Sequence, residues 1–292
     1  MKQTQWLMFV CLALFSACRK DDNTGAIDLR IDYSVNDGPL VCDTLRYVNE
    51  AGNRFMITEV QWFISRLELQ NEKGEWIAFN EGDNIYYMDT GLPDTHSLHS
   101  QAFPAGTYQA LRFTFGLDEA DNRTGRFPNP PESNMFWPEP LGGGYHCMKL
   151  NGRWLNDGDT LVPMNIHLGT GQDETLTEFF PNHFSVTLPM ALKLRAEEHA
   201  NVRLTMVIDN WFRHPHTYDF RTDGSAIMQN QQAMAKLKEN GQDVFVITTK
   251  EETNTLSDIS RQIMKKAAPK PHFMTWEHLR NAFSNLKTQD RS

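Results

Sequence analysis

The chain has 292 residues, 40 % of them hydrophobic, and a formal net charge of −9 at pH 7. That acidity argues against a nucleic-acid surface, which needs clustered Lys and Arg to displace phosphate counterions, and it suits a cation instead. Seven Trp residues indicate a real core, and the length predicts one large domain or one domain with an appendage.

The N-terminus reads as a leader. Lys2 supplies a positive start, Trp6 to Phe15 form an apolar run, and Ser16-Ala17-Cys18 closes it. This is the order of a secretory signal, too short and too early to be a spanning helix. A cysteine after two small residues resembles a bacterial lipobox, with Phe15 where leucine is commoner. The expectation is a signal peptide over 1–17, cleavage before Cys18, and lipidation of Cys18. Arg19-Lys20-Asp21-Asp22 resembles the charged export tag of Bacteroidetes surface lipoproteins. Residues 18–25 are then a lipidated tether. Loss of Lys2 takes the charge from −9 to −10. Acyl burial is worth about 0.8 kcal/mol per CH₂, so several chains anchor stably, and the expected location is the cell envelope, as an outer-membrane lipoprotein. A plain secretory signal with an incidental cysteine is the alternative. No second apolar run approaches about 18 residues, so no other membrane span is expected.

From Ala26 the pattern alternates. Ile27, Leu29, Ile31 and Tyr33 share one face, with Asp28, Arg30 and Asp32 on the other, so a strand is predicted. After the turn Asn49–Asn53, Phe55, Ile57, Val60–Ile64 and Leu67–Leu69 alternate again. Trp76–Phe79, Ile85–Met88 and Tyr108–Gly116 read as strands. Residues 117–144 are rich in Pro, Gly, Asn and Asp, and a loop of that length in a compact domain is usually functional. Strands are predicted again at Tyr145–Leu150, Val162–Leu168, Phe184–Leu194 and Val202–Ile208. Asn156-Asp157-Gly158-Asp159 has a calcium-loop look but lacks the remaining ligand spacing, so it reads as a turn. Many short strands separated by turns predict an all-β fold, an antiparallel β-sandwich over 26–250 with long loops. Residues 226–240 have helical spacing and end at Asn240-Gly241, glycine being the usual left-handed cap. Residues 251–292 form a helical tail in this reading, with candidate helices at 257–268 and 273–286.

Cys11 leaves with the signal and Cys18 is the anchor, leaving Cys42 and Cys147. In an oxidising compartment they form a disulfide, stay as two buried thiols, or ligate a metal.

The chain carries no G-x-S-x-G, no H-E-x-x-H and no phosphate-binding glycine loop, so an enzyme is not expected. Ten His are the residues to weigh. His167 faces away from Met164, Ile166 and Leu168 on its strand, and Gly169 and Gly171 after it leave room for an ion. His214-Pro215-His216 sets two imidazoles on one side of an extended segment, a spacing that suits one soft metal or simply a solvated turn. The segment Asn134-Met135-Phe136-Trp137-Pro138-Glu139-Pro140 runs through Gly142-Gly143-Gly144 to Tyr145-His146. Large apolar side chains on such a loop normally fold back onto a core as a lid.

Several of these stretches carry a resemblance. Met135-Phe136-Trp137, Gly144-Tyr145, Leu150-Asn151-Gly152 and Ile166-His167-Leu168-Gly169 look like the MbnP-like family of secreted copper-binding proteins. Gly106-Thr107-Tyr108, Phe115-Gly116-Leu117-Asp118, Asn210-Trp211-Phe212 and the stretch from Ile227-Met228 through Asn240-Gly241 to Asp243-Val244-Phe245 fit too. The resemblance covers about residues 26–247 and leaves the tail unmatched. It implies an extracytoplasmic β-rich domain that binds copper and is not itself an enzyme. It also implies a partner di-haem protein related to cytochrome c peroxidases, which oxidises a tryptophan to kynurenine beside the copper. Carried over, Trp137 is the oxidised residue and His167 the leading ligand, with His146, His214 and His216 as further candidates. Two departures stand out. Pro138-Glu139-Pro140 replaces the aromatic or histidine residues often found after that tryptophan, and no cysteine follows His167-Leu168-Gly169.

Two functions follow. One is a lipid-anchored copper protein, with histidines converging near the aromatic loop. The other is a surface module for glycan, peptide or another envelope protein, with Trp137, Phe136 and Tyr145 as an exposed platform and the histidines scattered.

Overall fold

The structure is a computed structural model that describes residues 23–100 and 102–249. The predicted signal over 1–17, Cys18 as the expected lipidation site, and the predicted helical tail over 251–292 lie outside the described residues.

The principal elements are β1 (Thr24–Val35), β2 (Arg54–Asn71), β3 (Ile85–Asp89), β4 (Gly106–Phe115), β5 (Met148–Leu155), β6 (Leu161–Leu168), β7 (Phe184–Leu194), β8 (His199–Val207), α1 (Gln231–Asn240) and β9 (Phe245–Thr249). The larger, eight-stranded sheet runs β6-β5-β2-β4-β7, with β3 also on β2, and its pairings are antiparallel. The smaller sheet centres on β9-β8-β1. There β1 and β8 pair in parallel, from Ala26 against His199 to Ser34 against Val207. A parallel pair needs a long crossover, and here the whole larger sheet supplies it. The all-β sandwich is as the alternation predicts, with this one departure from an antiparallel order among the long strands.

Alternation places the core. Ile27, Leu29, Ile31, Tyr33 and Val35 turn inward from β1, because side chains one residue apart on a strand point to opposite faces. Trp62 of β2 is the hinge between layers. It stacks on Phe115 with ring centroids 5.6 Å apart, meets Phe245 of the smaller sheet at 5.3 Å, and donates its Nε1–H to the Tyr33 hydroxyl at 3.0 Å.

Phe63, one residue on, faces the other way. It begins a second buried cluster with Tyr87, Leu117, Met135 and Tyr145. Its ring stacks on Phe127 at 5.5 Å, and the Tyr145 hydroxyl accepts from the Phe127 backbone N–H at 2.8 Å. These contacts fasten the 117–147 segment onto the outer face of the larger sheet. The long loop is therefore a folded layer with its own small core.

Three local expectations are corrected. The helix starts at Gln231, since Asn230 caps it by accepting from the Ala233 N–H, an N-cap role that asparagine fills well. Gly241 is not a left-handed cap: its φ is −56°. It is glycine because a Cβ there would lie 2.3 Å from Cζ of Phe184. Met148 begins β5, so Tyr145 and His146 belong to the loop. Cys42 and Cys147 are both free, and burial pushes the Cys147 thiol up to about 12, well away from thiolate chemistry.

Candidate metal centre

The centre grows from the hairpin at one edge of the larger sheet. The turn at 156–160, with Asn156 Oδ1 accepting from the Gly158 and Thr160 N–H groups, fixes the register of β5 on β6. Leu150 faces Ile166 and Met148 faces Leu168, all buried in the core. The intervening pairs, Lys149 with His167 and Asn151 with Asn165, must then project from the outer face, where the folded loop lies.

Both histidines there are held by one nitrogen. His167 Nε2 lies 2.7 Å from Asn151 Oδ1. The Asn151 amide is oriented by its Nδ2, which donates to Glu59 Oε2 at 3.3 Å. An amide oxygen can only accept, so Nε2 of His167 carries the proton and Nδ1 keeps a bare lone pair. His146 donates from its backbone N–H to the Met135 carbonyl at 2.7 Å, and its Nδ1 donates to the same oxygen at 2.9 Å. Its Nε2 is therefore the bare nitrogen. The bare nitrogens, His146 Nε2 and His167 Nδ1, are both buried and without a hydrogen-bond partner.

The rings meet edge to face. The His146 and His167 centroids are 5.1 Å apart at 83°, and Trp137 sits 4.7 Å from His146 at 77°. Trp137 is fully buried, its N–H bonded to the Gly144 carbonyl and its indole Nε1–H to the Leu141 carbonyl, each at 2.8 Å. The space beside Gly169 is taken by this indole and not by an ion: a Cβ at Gly169 would lie 2.3 Å from Trp137 Cε3. Gly171 is likewise filled, by Gln231.

Desolvation sets the charge state. Burial pushes His146 down to about 3 and His167 down to about 4, and in both Lys149 adds a repulsion. Both imidazoles are neutral near pH 7, the form in which a ring nitrogen ligates a metal.

Of the four histidines singled out by sequence, the structure brings two together. His216 instead pairs through Nε2 with Glu239 Oε2 of α1 at 2.5 Å, and His214 is exposed beside it in the chain. The platform reading fails on exposure: Trp137 and Tyr145 are buried, and of its three aromatics only Phe136 is exposed. Sequence reading missed Asn151, Lys149 and the Met135 carbonyl as parts of the site. The 156–160 turn was the available signal for the first two, since centring a hairpin on it sets Lys149 opposite His167.

The donor set is two neutral, desolvated imidazoles, which suits copper or zinc. Among the described residues no group of three or more His, Cys, Asp or Glu is placed to hold a metal. The indole of Trp137 is a donor only and offers no lone pair to an ion.

The sequence profile of the MbnP family matches residues 24–234. In structure the chain is similar to MbnP from Methylosinus trichosporium, with a TM-score of 0.53 at 14 % identity, over 78 % of this chain and 99 % of that one. At that identity the likeness shows a shared fold. No curated protein matches the chain in sequence.

Proposed function

The chain belongs to the MbnP family, and from that premise we propose that it is a lipid-anchored copper-binding protein of the cell envelope in which His146 and His167 hold the ion. One observation carries this reading: two bare imidazole nitrogens lie buried in adjacent rings with nothing to bond. A buried acceptor left unpaired costs about 1–3 kcal/mol, and two together in a well-packed layer call for a cation. A bound copper ion would supply the missing electrophile for both lone pairs. The chain's own part is to fix each ring, through the Met135 carbonyl and the Asn151 amide, and to keep water out beneath Trp137.

The remaining features fit the same reading. Trp137, set against His146, is the residue for a di-haem peroxidase-like partner to oxidise. Oxidative cleavage of the indole C2–C3 bond by that partner, with peroxide as the oxidant and C2 lost as formate after hydrolysis, would exchange a ring N–H without a lone pair for an amine and a ketone that have them. In this proposal the protein acts as a binder, the role that the family resemblance implies. Cys18 provides the membrane anchor in this proposal.

Copper titration of the mature chain tests it. Wild type should take up one ion, and His146→Ala and His167→Ala should each lose most of the affinity. Equal stoichiometry and affinity in wild type and both variants would remove these residues from the site. No uptake by any of the three would remove copper.

A further inference from the structure

Lys149 stands beside the two imidazoles with its charge uncompensated. It is the register partner of His167 on the outer face of the sheet. Its Nζ reaches across to donate to the Asn134 carbonyl at 3.2 Å, next in sequence to Met135, whose carbonyl holds His146. Among the described residues no carboxylate forms an ion pair with this ammonium. On its other side the register partner is Gln61, a neutral amide. Gln61 spends its Nε2 on Tyr87 and Asp89 and leaves its Oε1 buried and unpartnered. The carboxylate linked to the centre, Glu59, is one amide removed, behind Asn151.

We propose that Lys149 is the specificity-determining residue of the centre, making it select a univalent soft cation, Cu⁺ or Ag⁺, against divalent Zn²⁺ and Cu²⁺. The inference rests on the reading of His146 and His167 as ligands. The donors are neutral, so nothing in the immediate shell offsets ionic charge, and a fixed ammonium alongside repels a divalent ion twice as strongly as a univalent one. Lys149 is the cross-strand neighbour of His167 on the same face, so the repulsion acts at the short range of adjacent side chains. Imidazole by itself accepts copper or zinc alike. The discrimination therefore comes from charge, and Lys149 is the charge the structure supplies.

The test compares wild type, Lys149→Met and Lys149→Arg in the full mature chain. Cu⁺ affinity is read by competition with a chromophoric Cu⁺ chelator under reducing conditions, Ag⁺ and Zn²⁺ by calorimetry. Lys149→Met keeps the length and removes the charge. It should raise Zn²⁺ affinity about tenfold or more relative to that for Ag⁺ or Cu⁺. Lys149→Arg should hold the wild-type ratio within about threefold. An unchanged ratio in Lys149→Met, with univalent binding intact, overturns the role of Lys149 and leaves the ligand assignment standing. Absence of any ion uptake by wild type, or uptake unaffected by His167→Ala, overturns both. If Lys149→Met misfolds by circular dichroism, Lys149→Gln replaces it under the same criteria.

Discussion

Gly169 and Trp137 share one space: the backbone of the residue two after His167 presses against the six-membered edge of the indole, and a Cβ there would come within 2.3 Å of Cε3 and 2.5 Å of Cζ3. Gly169 lacks the positive φ found at other glycines, so contact and not conformation requires it.

Gly169→Ala should therefore act purely by overpacking. The expected loss is about 1–3 kcal/mol, with a change in near-ultraviolet circular dichroism as Trp137 shifts. Copper affinity should fall too, because Trp137 packs against His146. Unfolding in urea with an unchanged midpoint and an unchanged aromatic spectrum would refute this.

Asn151→Ala should weaken copper binding without unfolding the sheet. The amide fixes the tautomer and tilt of His167, and losing such an outer partner typically lowers metal affinity about 10–100-fold. A titration within twofold of wild type would show that His167 needs no such support.

The depressed histidines predict an acid-labile fold. His146 and His167 titrate at about 3 and about 4 in the folded chain, against about 6.5 when unfolded. The unfolded chain therefore binds more protons between those values, so stability rises with pH through about 4 to 6.5 and is lost as pH falls. Each imidazole contributes up to about 1.4 kcal/mol per pH unit to that slope. Urea unfolding of metal-free protein at pH 4.5, 5.5 and 6.5 should show it, and His146→Phe should flatten it. Parallel slopes in the two proteins would contradict the assignment.

Trp62→Ala should be the most damaging of these changes. It empties the contact between the layers and leaves the Tyr33 hydroxyl without the indole donor, and a buried Trp→Ala change costs about 3–5 kcal/mol. A melting temperature close to that of wild type would mean that Phe115 and Phe245 close over the gap.

How much of this was readable in the chain varies with the physics involved. Period-two alternation marks strands and faces, so β1, β4 and β7 and the outward setting of His167 were legible. Alternation has no direction, however, and the parallel pairing of β1 with β8 could not be read from it. Aromatic loop residues announce burial somewhere without saying against what. The loop was expected to fold back onto the core, as Trp137 and Tyr145 do; the rival platform of Trp137, Phe136 and Tyr145 keeps only Phe136 exposed. His146 was visible only as one candidate among several, because its partner is the Met135 carbonyl, a backbone group that every residue type carries. His216 was misleading for the opposite reason: the close spacing to His214 suggested a metal, whereas its partner Glu239 lies on a helix distant in sequence.

The course of β1 also decides which pole of the molecule meets its surroundings. The strand enters at Thr24, where Thr24 accepts from the Glu197 N–H. Nine residues later it reaches Tyr33, level with Trp62, whose register partner Met148 in turn faces Leu168. At about 3.3 Å per strand residue that is a travel of about 30 Å. With the proposed anchor at Cys18, the histidine centre would be carried toward the end of the sandwich opposite Thr24. Ions and visiting proteins would reach it without having to work between the sandwich and the lipid.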